Sequence, residues 1–273
     1  MLKDLLKEYV QERVPKDAEV AVLFSGGLDS ISVLLTALEL GYSPTLYTFY
    51  LEGYVSKDLE TSRRVAQYYN LPLVEVKIKR DIELLVEQVK SIIKRFSLNK
   101  KTQIQVVHPM SNVIPYITEP YVLTGLEADT LYGNSRSMRK LINDSNDFYN
   151  ARLRAIQDPK NASYQFIKQL VEEEGKELVA PYKESQSIID YFLNLPVNDI
   201  RYGKQKRQTY EAFRNEIDEL KLYRRSSNMQ VNSGIREFHD ELLTSQYNTT
   251  NAKSIIAIYN KFIKEAKENE YED

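Results

Sequence analysis

The sequence predicts an α/β protein: a parallel-sheet nucleotide-binding half followed by a helical half. Three observations predict it. Short runs rich in valine and leucine alternate with helix-length segments over residues 1–140. The first of these runs passes into a helix through adjacent glycines, "FSGGLDS" at 24–30. Beyond about residue 140 the strand signal fades and the apolar spacing is helical.

The elements follow in order. "MLKDLLKEYVQERV" is a charged amphipathic helix that lacks the apolar core of a signal peptide. Strands are predicted at "EVAVLF" (19–24), "SPTLYTFYL" (43–51), "LPLVEVKI" (71–78) and "YVLTG" (121–125). Between them lie helices at 29–40, 57–69, 81–96 and 104–117. Strands joined through helices of this length imply right-handed crossovers and a parallel sheet. Further helices are predicted at 144–156, 161–174, 185–194, 204–222 and 251–268. Loops fall at "DPKN", "APYKE" and "LPVND", and the tail "KEAKENEYED" is expected to fray. No glycine- or proline-rich linker intervenes. Residues 1–140 therefore read as the nucleotide-binding region and 141–273 as a helical region packed on it, in one continuous unit.

Bulk properties narrow the function. The 273 residues are 42% hydrophobic and 28% charged, an ordinary globular balance. The net charge is −2 and the pI about 5.9, so no basic field favours nucleic acid. No run is long enough for a membrane span, and a cytoplasmic location is expected. Cysteine is absent, which excludes disulfides, thiolate nucleophiles and cysteine-bound zinc. Only 9 glycines occur, and Gly26, Gly27, Gly125 and Gly133 fall in two short loops. Such clustering in a glycine-poor chain marks backbone that needs glycine.

The first loop has the chemistry of an anion site. After a strand, Ser25, Gly26 and Gly27 leave unpaired amides and a positive helix end facing whatever occupies the turn. Ser30 adds a second hydroxyl. Asp29 is the anomaly, because a carboxylate beside a polyphosphate repels it unless a divalent cation lies between them.

"SGGLDS" resembles the signature of the PP-loop ATP pyrophosphatases, whose HUP-like core adenylates an acceptor and retains pyrophosphate in this loop. No Gly-Lys-Ser/Thr follows, so it is not a Walker loop. "YVLTGLEADTLYG" (121–133) is similar to the second loop of the asparagine synthetase branch. There Gly125 takes the first glycine, Asp129 the aspartate and Gly133 the later glycine. The resemblance makes Asp29 and Asp129 the magnesium ligands and Ser25, Gly26, Gly27, Asp29, Ser30 and Gly125 the nucleotide-binding set. The family's first glutamate falls on Leu126, its second glycine on Glu127 and its last glutamate on Thr130. Glu127, one residue later, reads either as the replacement carboxylate, with the backbone shifted, or as a solvated loop residue.

"APYKESQSIIDYFLNLP" (180–196) is similar to the family's Pro-Phe-Leu-Asp stretch, with Pro181, Tyr182 and Glu184 in those places. "KRQTYEAF" (206–213) resembles its lysine-led helix. Lys206 takes the lysine that faces the adenylate phosphates, where a cation offsets the charge of nucleotidyl transfer. The upstream family lysine falls near Gln169, beside Lys168. The resemblance runs from about residue 19 to 215.

The resemblance implies an ATP- and magnesium-dependent ligase forming AMP and pyrophosphate. It would adenylate a carboxylate, or an amide-like oxygen, of a small acceptor and transfer ammonia or an amine to it. The glutaminase half of asparagine synthetase begins with a cysteine; here the second residue is Leu2 and no cysteine exists. Nitrogen is then expected from free ammonia, a separate amidotransferase partner or a substrate amine. The family arginine before Pro-Phe falls on Val179, so an acceptor other than aspartate is expected. Alternatives are adenylation of a nucleobase or nucleic acid, and a decayed nucleotide-binding regulator or partner subunit, which Leu126 and Thr130 motivate. His108 and His239 read as structural. Arg136 and Arg139 follow the second loop closely enough to reach phosphates or acceptor.

Overall fold

A computed structural model describes residues 1–158, 163–201, 204–223, 229–246 and 252–269. Most of the "DPKN" loop and the last four residues of the expected tail lie outside them. Five strands form one sheet: β1 (Val20–Leu23), β2 (Thr45–Leu51), β3 (Leu73–Ile78), β4 (Tyr121–Thr124) and β5 (Glu177–Val179). Their order is β3–β2–β1–β4–β5. Pairing is parallel, with Leu23 opposite Tyr47 and Thr124, and Leu123 opposite Val179. β1 is buried along its whole length, as a central parallel strand covered on both faces must be.

This order places a reversal between β1 and β4. The chain moves outward from β1 to β2 and β3, then returns to the other flank for β4. A crevice beyond the carboxyl ends of two such strands is where open α/β sheets bind ligands. The two glycine-bearing loops leave β1 and β4 at that end.

β5 is a correction to the sequence reading, which expected no strand beyond residue 140. A three-residue strand is too short for a period-two pattern to declare itself. The expected helix 204–222 also divides, into Arg207–Ala212 and Arg214–Glu219. Phe213 separates them at φ −128°, outside helical geometry. The helix Ile235–Gln246 was not anticipated, whereas Leu28–Glu39, Lys57–Tyr69 and Ile82–Phe96 match their expected spans within a residue.

The chain divides into two compact units, each discontinuous in sequence. One comprises Met1–Thr48, Thr61–Val74 and Ile117–Ser226. Its core gathers Leu6, Val22, Leu34, Leu123, Leu131, Val179, Phe192, Phe213 and Ile217, all buried. The helix Leu28–Glu39 lies against β1 and β4 and also meets the helix Arg207–Ala212.

The second unit comprises Phe49–Glu60, Glu75–Tyr116 and Ser227–Asp273. Its helices Ile82–Phe96, Lys101–Val113, Ile235–Gln246 and Ala252–Asn269 pack together. At their centre His108 Nδ1 and His239 Nε2 are 3.0 Å apart, and His239 Nδ1 is 2.6 Å from the Tyr259 hydroxyl. Gln88 Oε1 completes the chain, 2.8 Å from His108 Nε2. Burial pushes the His108 imidazole down to about 4 and His239 well below its ordinary value. Both rings are neutral members of a hydrogen-bonded core. Among the described residues no helix is long and apolar enough to cross a membrane.

Candidate functional site

The first loop is held by its own hydroxyls. Gly26 takes φ +64° and Gly27 is the extended N-cap of the helix Leu28–Glu39, with no side chain capping that end. The Ser30 hydroxyl donates to Gly27 O at 3.0 Å and lies 3.3 Å from the Ser25 hydroxyl. Uncapped first-turn amides combine with the positive end of a twelve-residue helix dipole to suit an anion.

Asp29 stands in that first turn. Its carboxyl Oδ2 accepts from the Lys206 ammonium, while Oδ1 is buried without a hydrogen-bond partner. Burial raises its pKa to about 6, with Lys206 opposing the rise and Asp129 adding to it. Asp129 is half exposed, and its Oδ1 lies 2.9 Å from Lys206 Nζ and accepts from Asn134 at 2.8 Å. Burial would raise the Asp129 pKa, but Lys206 and Asn134 more than offset it and hold the group ionised. Lys206 is only 4% exposed, and its two carboxylates outweigh the desolvation that would strip its proton. The structure thus joins three residues from the two loops and a distant helix into one cluster.

Backbone geometry fixes each member. Gly125 abuts Asp29 so closely that a Cβ there would stand 2.5 Å from the Asp29 carbonyl carbon. That contact locks the end of β4 to the start of the helix. Lys206 has φ +57° and Glu127 φ +72°, left-handed values that cost an L-residue roughly 1–2 kcal/mol. Glu127 occupies the place of the family's second glycine, and the glycine-like backbone persists there. Its carboxylate accepts from the Thr130 hydroxyl at 2.8 Å, and burial raises its pKa.

Several supporting residues were not picked out as such in the sequence. Ser32 Oγ donates to Asp29 O at 2.8 Å and meets the Tyr182 hydroxyl at 2.7 Å. The Tyr132 hydroxyl accepts from Thr209 N at 2.9 Å and pairs with Thr209 Oγ1 at the same distance. The second pair ties the helix that Lys206 precedes to the second loop. Arg152, 1% exposed, donates to Leu131 O and Phe192 O at 3.1 and 2.8 Å. Its charge thereby serves the carbonyl ends of two helices, Ala128–Leu131 and Gln186–Leu193. A buried arginine inside a charged helix pattern gives no sequence signal.

Other expected residues lie differently. Glu184 accepts from Tyr9 at 2.7 Å, Ala180 N at 3.1 Å, Lys168 at 3.1 Å and Tyr164. Four donors make it a structural hub. Arg139 donates to Asn134 Oδ1 at 3.1 Å and reaches Asp129 through that amide. The Arg136 side chain is outside the described residues. Among the described residues no three His, Asp or Glu side chains gather for a metal.

Residues 1–186 match the family described as asparagine synthase. A probable glutamine-hydrolysing asparagine synthetase of Acanthamoeba polyphaga mimivirus is 23% identical over 231 residues. The match covers 82% of this chain and 41% of the viral protein, so the chain spans less than half of that relative's length. Among solved structures, a predicted subunit of tRNA methyltransferase from Methanocaldococcus jannaschii aligns with a TM-score of 0.37 at 15% identity, covering 77% of this chain and 93% of its own. The U34-tRNA thiolase NcsA from Methanococcus maripaludis aligns with a TM-score of 0.34 at 13% identity, covering 96% and 78%.

Proposed function

This chain belongs to the asparagine synthase family, and from that premise we propose that it is an ATP-dependent, AMP- and pyrophosphate-forming amide ligase. The observation that carries this reading is the convergence of Asp29, Asp129 and Lys206 beyond the carboxyl ends of β1 and β4, beside an uncapped helix start. A site built only to close a turn needs no buried ammonium between two carboxylates.

Magnesium fits the donor set: two carboxylates from the helix starts that follow β1 and β4, one with a buried oxygen that lacks a partner. Asp29 and Asp129 would hold it, and when bound it supplies positive charge to a polyphosphate. The protein's residues do the rest. An acceptor carboxylate oxygen attacks the α-phosphorus of ATP, and the bond to the β-phosphate oxygen breaks. First-turn amides with the Ser25 and Ser30 hydroxyls receive the departing pyrophosphate, and the Lys206 ammonium offsets its charge. Ammonia or an amine then adds to the acyl carbon of the adenylate, AMP leaves and the nitrogen loses a proton. Glu127, the second loop's other carboxylate, would take that proton.

The test is product analysis with ATP, magnesium, ammonia and a panel of small carboxylic acids. AMP and pyrophosphate are expected in equal amounts, and D29N should lower their formation by about 10²-fold or more. ADP and phosphate as products would overturn the reading. Nucleotide binding without AMP across the panel would favour the regulator alternative.

A further inference from the structure

We infer that Lys206 makes the Asp29–Asp129 pair accept a divalent cation only together with a polyphosphate, so that the bare ion is kept out. The inference rests on the ATP reading and deepens it. The ammonium of Lys206 donates to Asp29 and lies 2.9 Å from Asp129 Oδ1, so it fills the position a cation shared by both carboxylates would take. Two carboxylates and one ammonium leave the cluster with a single net negative charge. A bare divalent ion arriving there has two routes, and both are unfavourable. It can crowd against the ammonium, a like-charge contact at short range in a partly desolvated site. Or it can expel the ammonium, which then loses both partners while its side chain remains buried.

The backbone does not relieve this conflict. Lys206 sits at a left-handed turn, and the helix it precedes is tied at Thr209 to the Tyr132 hydroxyl. Only the side chain can swing. A cation that brings phosphate oxygens changes the balance, because the displaced ammonium then has anionic acceptors within its arc. Asp29 Oδ1, buried and without a partner, remains for the incoming metal. Metal and nucleotide affinities are coupled through Lys206, and the coupling is reciprocal. The order of binding is set by charge, with no lid required.

The experiment measures Mn²⁺ binding to the full chain by electron paramagnetic resonance, with and without a non-hydrolysable ATP analogue. In the wild type the analogue should tighten Mn²⁺ binding by about tenfold or more. K206A should bind bare Mn²⁺ about tenfold or more tighter than wild type and show a smaller gain from the analogue. K206Q, whose amide can still donate to both carboxylates, is the second variant should K206A fold poorly. Wild type that binds the analogue yet takes bare Mn²⁺ as tightly as Mn²⁺ with analogue overturns the inference without any variant. Folded variants with no gain for bare Mn²⁺ also overturn it. Nucleotide affinity of the wild type, read by calorimetry, reports separately: absent binding sinks the ATP reading, whereas the bare-metal comparison of wild type and variants still stands.

Discussion

Gly125, at the end of β4, touches the backbone of Asp29, at the start of the helix after β1. A Cβ at Gly125 would lie 2.6 Å from the Asp29 carbonyl oxygen and 2.8 Å from its Cβ. Neither neighbour is a flexible side-chain end. G125A should therefore cost about 1–3 kcal/mol in urea denaturation and move Asp29 out of register with Asp129. Loss of AMP formation in a variant that still folds is the expected outcome. A fully active, equally stable G125A would show that the two strand ends are not held by this contact.

Lys206 bridges two carboxylates, and its removal leaves them facing each other. K206A should lose about 2 kcal/mol, below the usual penalty for breaking a buried pair because Asp129 is half exposed. Adding D129N to K206A should recover part of that loss, since one repelling charge is gone. Strictly additive losses in chemical denaturation would contradict the coupling.

In the proposed reaction Glu127 would serve the second half-reaction alone. E127Q keeps the Thr130 hydroxyl bonded but loses the basic oxygen, so amide formation should fall by about 10²-fold or more. Pyrophosphate exchange into ATP, which reports adenylation, should survive. Equal loss of both activities would place Glu127 in nucleotide binding instead.

The imidazoles of His108 and His239 set a pH dependence in the second unit. Folded His108 has its pKa depressed to about 4, below the ordinary value near 6.5, because of burial. Between those values the unfolded chain binds a proton that the folded chain refuses, so stability is full above about pH 6.5 and falls as pH drops towards 4. The slope from one such group is about 1.4 kcal/mol per pH unit. H108Q should flatten this acid loss relative to wild type, read by denaturation at pH 7 and pH 5. Parallel pH curves for the two proteins would remove the histidines as its cause.

Much of this architecture could be read from residue patterns, and the reasons differ by element. β1 and its Ser-Gly-Gly turn announce themselves because a continuous apolar run meets paired glycines. The helices at 57–69 and 82–96 carry amphipathic periodicity over three or more turns. β5 does not, because three residues define no period. Its place in the sheet depends on β4 as a neighbour. Asp29 and Asp129 were named as partners through the family motif, and the structure brings both to the same ammonium. That Lys206 stands between them was not legible, since motif order says nothing of which way a side chain turns.

The tyrosines teach the same lesson. Twenty of them suggested no stacking pattern in the sequence. In the fold Tyr9 and Tyr164 donate to Glu184, Tyr47 to Glu119, Tyr68 to Glu219 and Tyr210 to Asp218. Apart from Tyr210 and Asp218, which are 8 residues apart, these phenol-to-carboxylate pairs join residues 20 or more apart, and no local spacing encodes them.

The late arrival of β5 has a consequence for how the polypeptide is made. β4 is flanked by β1 on one side and β5 on the other, and Val122 and Leu123 are wholly buried. Until the ribosome has released Glu177–Val179, β4 is a bare apolar edge with a row of unpaired amides. Such an edge recruits strands from other chains. Nascent chains and fragments ending before Glu177 should therefore be drawn into intermolecular β-pairing, although they already contain both loops and both aspartates.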